Sequence, residues 1–116
     1  MTFGQYIRQA REALREQDRR YSLRQTAMRI GVEPAYLSKI ERGDVAPPSE
    51  ATIVRLADDL GEDRDMLLAM AGKVSADLRE AIMRRPKLFA ELIRQLKDAP
   101  DEAVLRLVRE VRDGDW

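Results

Sequence analysis

Four glycines, Gly31, Gly43, Gly61 and Gly72, constrain this chain most, because each directly follows a stretch of helical apolar periodicity and is a natural C-terminal stop. The residues that open those stretches are equally diagnostic. Ser22 with Gln25 three positions on predicts a capping box before a helix Leu23–Ile30, and Pro34 fits the first turn of a helix that ends at Gly43. Ser49 predicts the cap of a fourth helix bearing Ile53, Val54, Leu56, Ala57 and Leu60, and Asp63 that of a fifth bearing Met66, Leu67 and Met70. Ahead of these, Phe3, Ile7, Ala10 and Leu14 predict a first helix from Thr2 to Gln17, after which Asp18, Arg19 and Arg20 break the period. The expectation is a compact bundle of five short helices over residues 1–72.

Beyond Gly72 the punctuation changes. Ser75 can cap a helix with Leu78, Ala81 and Ile82, Pro86 interrupts it, and Leu88, Phe89, Leu92, Ile93 and Leu96 form a second apolar stripe. Asp98 and Pro100 introduce a last helix with Val104, Leu105, Leu107, Val108 and Val111. Residues 73–116 therefore read as a separate C-terminal helical segment, carrying more apolar surface than so short a piece can enclose alone. They must pack on the first bundle or on another copy; the stripe Leu88, Phe89, Leu92, Ile93 and Leu96 is the expected centre of a homodimer interface.

With no cysteine and no histidine, the chain cannot build a thiol nucleophile, an imidazole base or an ordinary zinc site. Neither catalysis, a metal nor a cofactor is expected. The acidic cluster Asp58, Asp59, Glu62, Asp63 and Asp65 lacks the spacing and central glycine of a calcium loop, so caps and solvation account for it better. Aromatics are 5% and charged residues 36%, a composition that favours helices over sheets. No apolar run approaches a membrane span and the N-terminus is amphipathic, so no membrane contact and a cytoplasmic location are expected. Although the net charge is +0, its distribution is uneven. From Met1 to Val45 nine basic residues outnumber six acidic ones, whereas from Ala46 to Gly72 two basic residues are set against six acidic. One anion-facing surface on an otherwise neutral molecule would look like this.

Two short helices around a tight turn with a glycine form a helix-turn-helix arrangement. In the second, Leu37 and Ile40, with Val32 before them, point inward, while Ala35, Ser38, Lys39 and Arg42 share the opposite face. That face is small and polar at its start and basic further on, as entry into a major groove about 12 Å wide requires; a plain solvated face would look similar.

The residues themselves carry a more specific signal. The run Ser22-Leu-Arg-Gln-Thr-Ala27, then Ile30-Gly-Val32 and Tyr36-Leu-Ser-Lys-Ile-Glu-Arg-Gly43, followed by Pro47, Ser49 and Leu56-Ala-Asp-Asp-Leu-Gly61, resembles the Xre family of lambda-repressor-like helix-turn-helix regulators. The resemblance covers about Phe3 to Met70. It implies an all-α fold, a five-helix lambda-repressor-like DNA-binding bundle, here followed by a C-terminal segment of two to three helices. It also implies a dimer on a palindromic operator in double-stranded DNA. By the same resemblance Pro34, Ala35, Ser38 and Lys39 match positions that reach base edges or nearby phosphates. Phosphate contacts are expected from Ser22 and the N-terminus of the second helix, from Arg24 and from Arg42. Tyr36 can bond a phosphate or simply pack. Glu41 matches a glutamate that pairs with an arginine of the first helix, with Arg15 the first candidate and Arg11 the second. Leu23 and Asp44 depart from the family pattern, standing where a phosphate-binding glutamine and a basic residue are common.

These readings converge on a sequence-specific DNA-binding regulator, a dimeric repressor. Two alternatives share the scaffold: an antitoxin that also binds a toxin through its C-terminal helices, and a protein-interaction adaptor without an operator.

Overall fold

The computed structural model describes residues 1–116 and is all-helical. The order is α1 (Phe3–Arg15), a single 3-10 turn (Arg19–Tyr21), α2 (Leu23–Ile30), α3 (Pro34–Arg42), α4 (Glu50–Leu60), α5 (Arg64–Met70), α6 (Ala76–Arg84), α7 (Pro86–Leu96) and α8 (Asp101–Asp113). Two compact units result, Met1–Ser75 and Ala76–Trp116, with the division three residues after Gly72.

In the first unit each helix contributes its apolar stripe to one core: Phe3 and Ile7 from α1, Ala27 and Ile30 from α2, Leu37 and Ile40 from α3, Ile53, Leu56, Ala57 and Leu60 from α4, and Leu67 and Leu68 from α5. Local chemistry sets the boundaries. Ser22, Ser49 and Asp63 each accept a hydrogen bond from the backbone N–H three residues on, satisfying a donor that the first helical turn leaves unpaired. The expected box at Ser22 is only half made, because the Ser22 N–H donates to the Arg19 carbonyl and closes the 3-10 turn. A complete capping box stands instead at Thr2 and Gln5; Thr2 is thus the cap of α1 and not its first residue. The expected break at Asp18–Arg20 is ordered too, since the Asp18 carboxylate accepts from the Arg20 N–H and pairs with its guanidinium at 2.7 Å.

One contact fixes how α1 meets α3. A Cβ at Gly4 would lie against the Ile40 carbonyl oxygen and 2.8 Å from that of Glu41, so only glycine lets the C-terminal turn of α3 rest on α1.

In the second unit no residue is buried. Phe89 and Leu96 of α7 and Ala103, Val104 and Leu107 of α8 are half-buried, whereas Leu88, Leu92, Ile93, Leu105, Val108 and Val111 face solvent. Trp116 is exposed and its indole N–H donates to the Val111 carbonyl at 2.9 Å.

Candidate nucleic-acid interface

The α2–α3 pair is built for rigidity around its turn. Gly31 ends α2 at φ +77°, a left-handed conformation costly for other residues, and the Val32 N–H then donates to the Ala27 carbonyl at 3.0 Å. Arg55 of α4 reaches the Ile30 carbonyl with its Nε at 2.9 Å, capping the C-terminus of α2 with a cation. Pro34 starts α3 from a fixed φ, and Leu37 and Ile40 anchor its inner face in the core. Glu33 serves as N-cap through its backbone alone; its side chain makes no capping bond.

Beneath α3 lies the most deeply buried ion pair of the bundle. Arg11 Nε and Nη2 donate to Glu41 Oε2 and Oε1 at 2.8 and 2.9 Å, both side chains are almost wholly buried, and Arg11 Nη1 donates to the Tyr21 carbonyl at 3.1 Å. The bond to Glu41 raises the Arg11 pKa above its ordinary value. Here the sequence expectation is corrected: the partner of Glu41 is Arg11, and Arg15, at the last turn of α1, is exposed. Arg11 continues the buried line Gly4–Ile7–Arg11, whereas Arg15 lies one turn past the crossing with α3.

Outward, α3 presents Ala35, Tyr36, Lys39 and Arg42 to solvent, with Pro34 and Ser38 half-buried at the edge of the same surface. Arg42 is not free: its Nε donates to Asp44 Oδ2 at 2.9 Å and its Nη1 to Ser38 Oγ at 2.7 Å. One of the expected phosphate ligands and one of the expected base readers are therefore joined, and Asp44 competes for the guanidinium. On α2, Ser22 is half-buried and Arg24 and Gln25 are exposed. Met28, one turn beyond Arg24, is 69% exposed. It is a lone apolar side chain among Arg24, Gln25 and Arg29. Leu23 packs partly against the core.

The basic surplus of the first 45 residues is thinner at the surface than its count suggests. Arg11 is consumed by Glu41, and Arg29 by Asp59, the Arg20 carbonyl and the face of the Tyr21 ring. The acidic cluster disperses in the same way: Asp58 pairs with Arg64, Asp59 with Arg29, Glu62 accepts from the Tyr6 phenol and Asp63 caps α5. Arg24 and Lys39 form no ion pair, so they are the cations most available to an anion at the α2–α3 surface.

Residues 2–70 match a family described as a helix-turn-helix domain. A Bacillus subtilis (strain 168) protein, described as the uncharacterized HTH-type transcriptional regulator RghRB, is 38% identical over 82 residues, covering 68% of this chain. The chain spans 55% of that relative's length. No solved structure matches the chain. No helix is long and apolar enough to cross a membrane.

Proposed function

The chain belongs to the helix-turn-helix domain family, and on that basis we propose that it is a dimeric transcriptional repressor of the Xre type, reading a palindromic operator in double-stranded DNA through α3. The observation that carries this reading is the division of α3 into two faces. Leu37, Ile40 and Glu41 are buried, while Ala35, Lys39 and Arg42 stand free of the core. Lys39 would donate to guanine O6 and N7, Ala35 would offer its methyl group to thymine, and Ser38 and Pro34 would read the edge by hydrogen bond and by shape. Ser22, Arg24, Tyr36 and Arg42 would hold the phosphates that set the register.

A single two-turn helix reads too few bases to be specific, so two copies related by a two-fold axis are required, with their recognition helices about 34 Å apart. The exposed Leu88, Leu92 and Ile93 of α7, 64%, 40% and 57% accessible, with Phe89 and Leu96 beside them, support self-association of the second unit. In this reading the protein is a cytoplasmic DNA-binding regulator with no catalytic step, metal or cofactor. Selection of binding sites from random duplex DNA should return an inverted repeat with half-sites about one helical turn apart. Failure to enrich any sequence would contradict it.

The same exposed apolar surface also fits a foreign protein, as an antitoxin or an adaptor would require. Sedimentation of the full chain separates the readings: a monomer at micromolar concentration would transfer that surface to a toxin or other partner.

A further inference from the structure

The outward face of α8 has an order that its neighbours lack. Asp101, Leu105, Val108 and Arg112 follow one another at spacings of four, three and four, so on an α-helix they fall within an arc of about 60°. Along that line the sequence runs acid, apolar, apolar, base. Leu105 and Val108 are each 51% exposed, and the half-buried residues of the helix, Ala103, Val104 and Leu107, centre about 120° away around it, with Val104 at the border of the line. The helix macrodipole accounts for acidic residues in a first turn and basic ones in a last turn. It does not account for two exposed apolar residues between them on the same line.

We propose that α8 packs antiparallel against α8 of a second copy of this chain, across the two-fold axis. The inference rests on the dimeric reading above and adds its geometry. With the axis passing between Arg106 and Leu107, Leu105 faces Val108 of the second copy and Val108 faces its Leu105, burying both. The same register sets Asp101 against Arg112 at each end, so one seam holds two apolar contacts and two ion pairs. Glu102 and Arg109, on the flank of the seam, reinforce the same direction. A parallel arrangement would place acid against acid and base against base and is disfavoured. Arg112 is held only by its neighbour Asp113, a pair 64% exposed on both sides that yields to a better partner at little cost. Arg106, about 130° around the helix from the centre of this line, points away from the seam to solvent.

Charge swaps in the full chain test this directly, read by sedimentation equilibrium, with circular dichroism confirming that helicity is kept. Asp101→Arg alone sets arginine against arginine at both ends, and Arg112→Asp alone sets aspartate against aspartate. Each homodimer is expected to weaken by about tenfold or more. An equimolar mixture of the two variants restores both ion pairs without altering either chain further and should dimerise like the wild type, as should the double variant D101R/R112D. Single variants that dimerise as tightly as the wild type, or a mixture that stays monomeric, would overturn the antiparallel seam while leaving the dimer in place. A wild-type chain that is itself monomeric would remove the dimeric reading along with it.

Discussion

Arg11 on α1 and Glu41 on α3 face each other through two parallel hydrogen bonds, with 5% and 4% of their side chains exposed. Because Arg11 also holds the Tyr21 carbonyl, this one guanidinium ties α1, the 3-10 turn and α3 together. Glu41→Gln leaves the buried cation without its counter-charge and is expected to cost about 3 to 5 kcal/mol of stability. Arg15→Ala, at an exposed position, should stay within about 0.5 kcal/mol. Urea unfolding of both variants checks the contrast. Wild-type unfolding of Glu41→Gln with lost DNA affinity would place Glu41 at the DNA instead of in the scaffold.

Gly4→Ala gains helix propensity yet should destabilise. Its methyl group would press on the Ile40 and Glu41 carbonyl oxygens, and separating α1 from α3 to make room is expected to cost about 1 to 3 kcal/mol. A lowered urea midpoint with an unchanged slope would report it; a raised midpoint would contradict the close approach.

Those two sites also mark the limit of what the sequence reveals. Helix boundaries from α2 to α5 were legible because they are local: a cap side chain or a glycine acts within three or four residues. The partner of Glu41 was not, since Arg11 and Arg15 are one turn apart and only the crossing point of α3 decides between them. That crossing is set by Gly4, whose meaning appears only when the second helix is in place. The line Gly4–Ile7–Arg11 was the available clue, masked by arginine's usual place at the surface. The 3-10 turn escaped for a related reason: its capping bond, from the Arg20 N–H to the Asp18 carboxylate, spans two residues and imposes no apolar period. The exposed face of α3 could be read directly, but the tether of Arg42 to Ser38 and Asp44 depends on side-chain rotamers that periodicity does not encode.

Lys39 and Arg42 should separate specificity from affinity. Lys39→Ala is expected to cost about 1 to 3 kcal/mol on the selected site and to relax preference at one base pair. Arg42→Ala should weaken all sequences alike and reduce the salt slope by about one. Asp44→Asn, by releasing Arg42, should tighten all sequences alike. Binding isotherms on the selected site and on single-base variants distinguish the three; equal shifts everywhere for Lys39→Ala would refute its role as a base reader.

Asp18 supplies a pH dependence. Its hydrogen bonds from Arg20, side chain first and then backbone, lower its pKa from 3.8 to about 2. A depressed carboxylate stabilises the fold above its unfolded pKa, and that contribution is lost as pH falls from about 4 through about 2. Carboxyl-carbon NMR titration should show Asp18 ionised at pH 3, and Asp18→Asn should flatten the acid limb of the stability profile. An Asp18 midpoint near 3.8 would contradict the pairing with Arg20.

As proposed above, the α2–α3 surface would bind DNA as a dimer through several phosphates and a few bases. Titration of the full chain onto its selected duplex at a series of salt concentrations tests it most directly. The logarithm of affinity is expected to fall linearly with the logarithm of salt, with a slope of several, and two chains should bind per duplex. Binding that ignores salt, or no duplex bound above the level of random DNA, would contradict it.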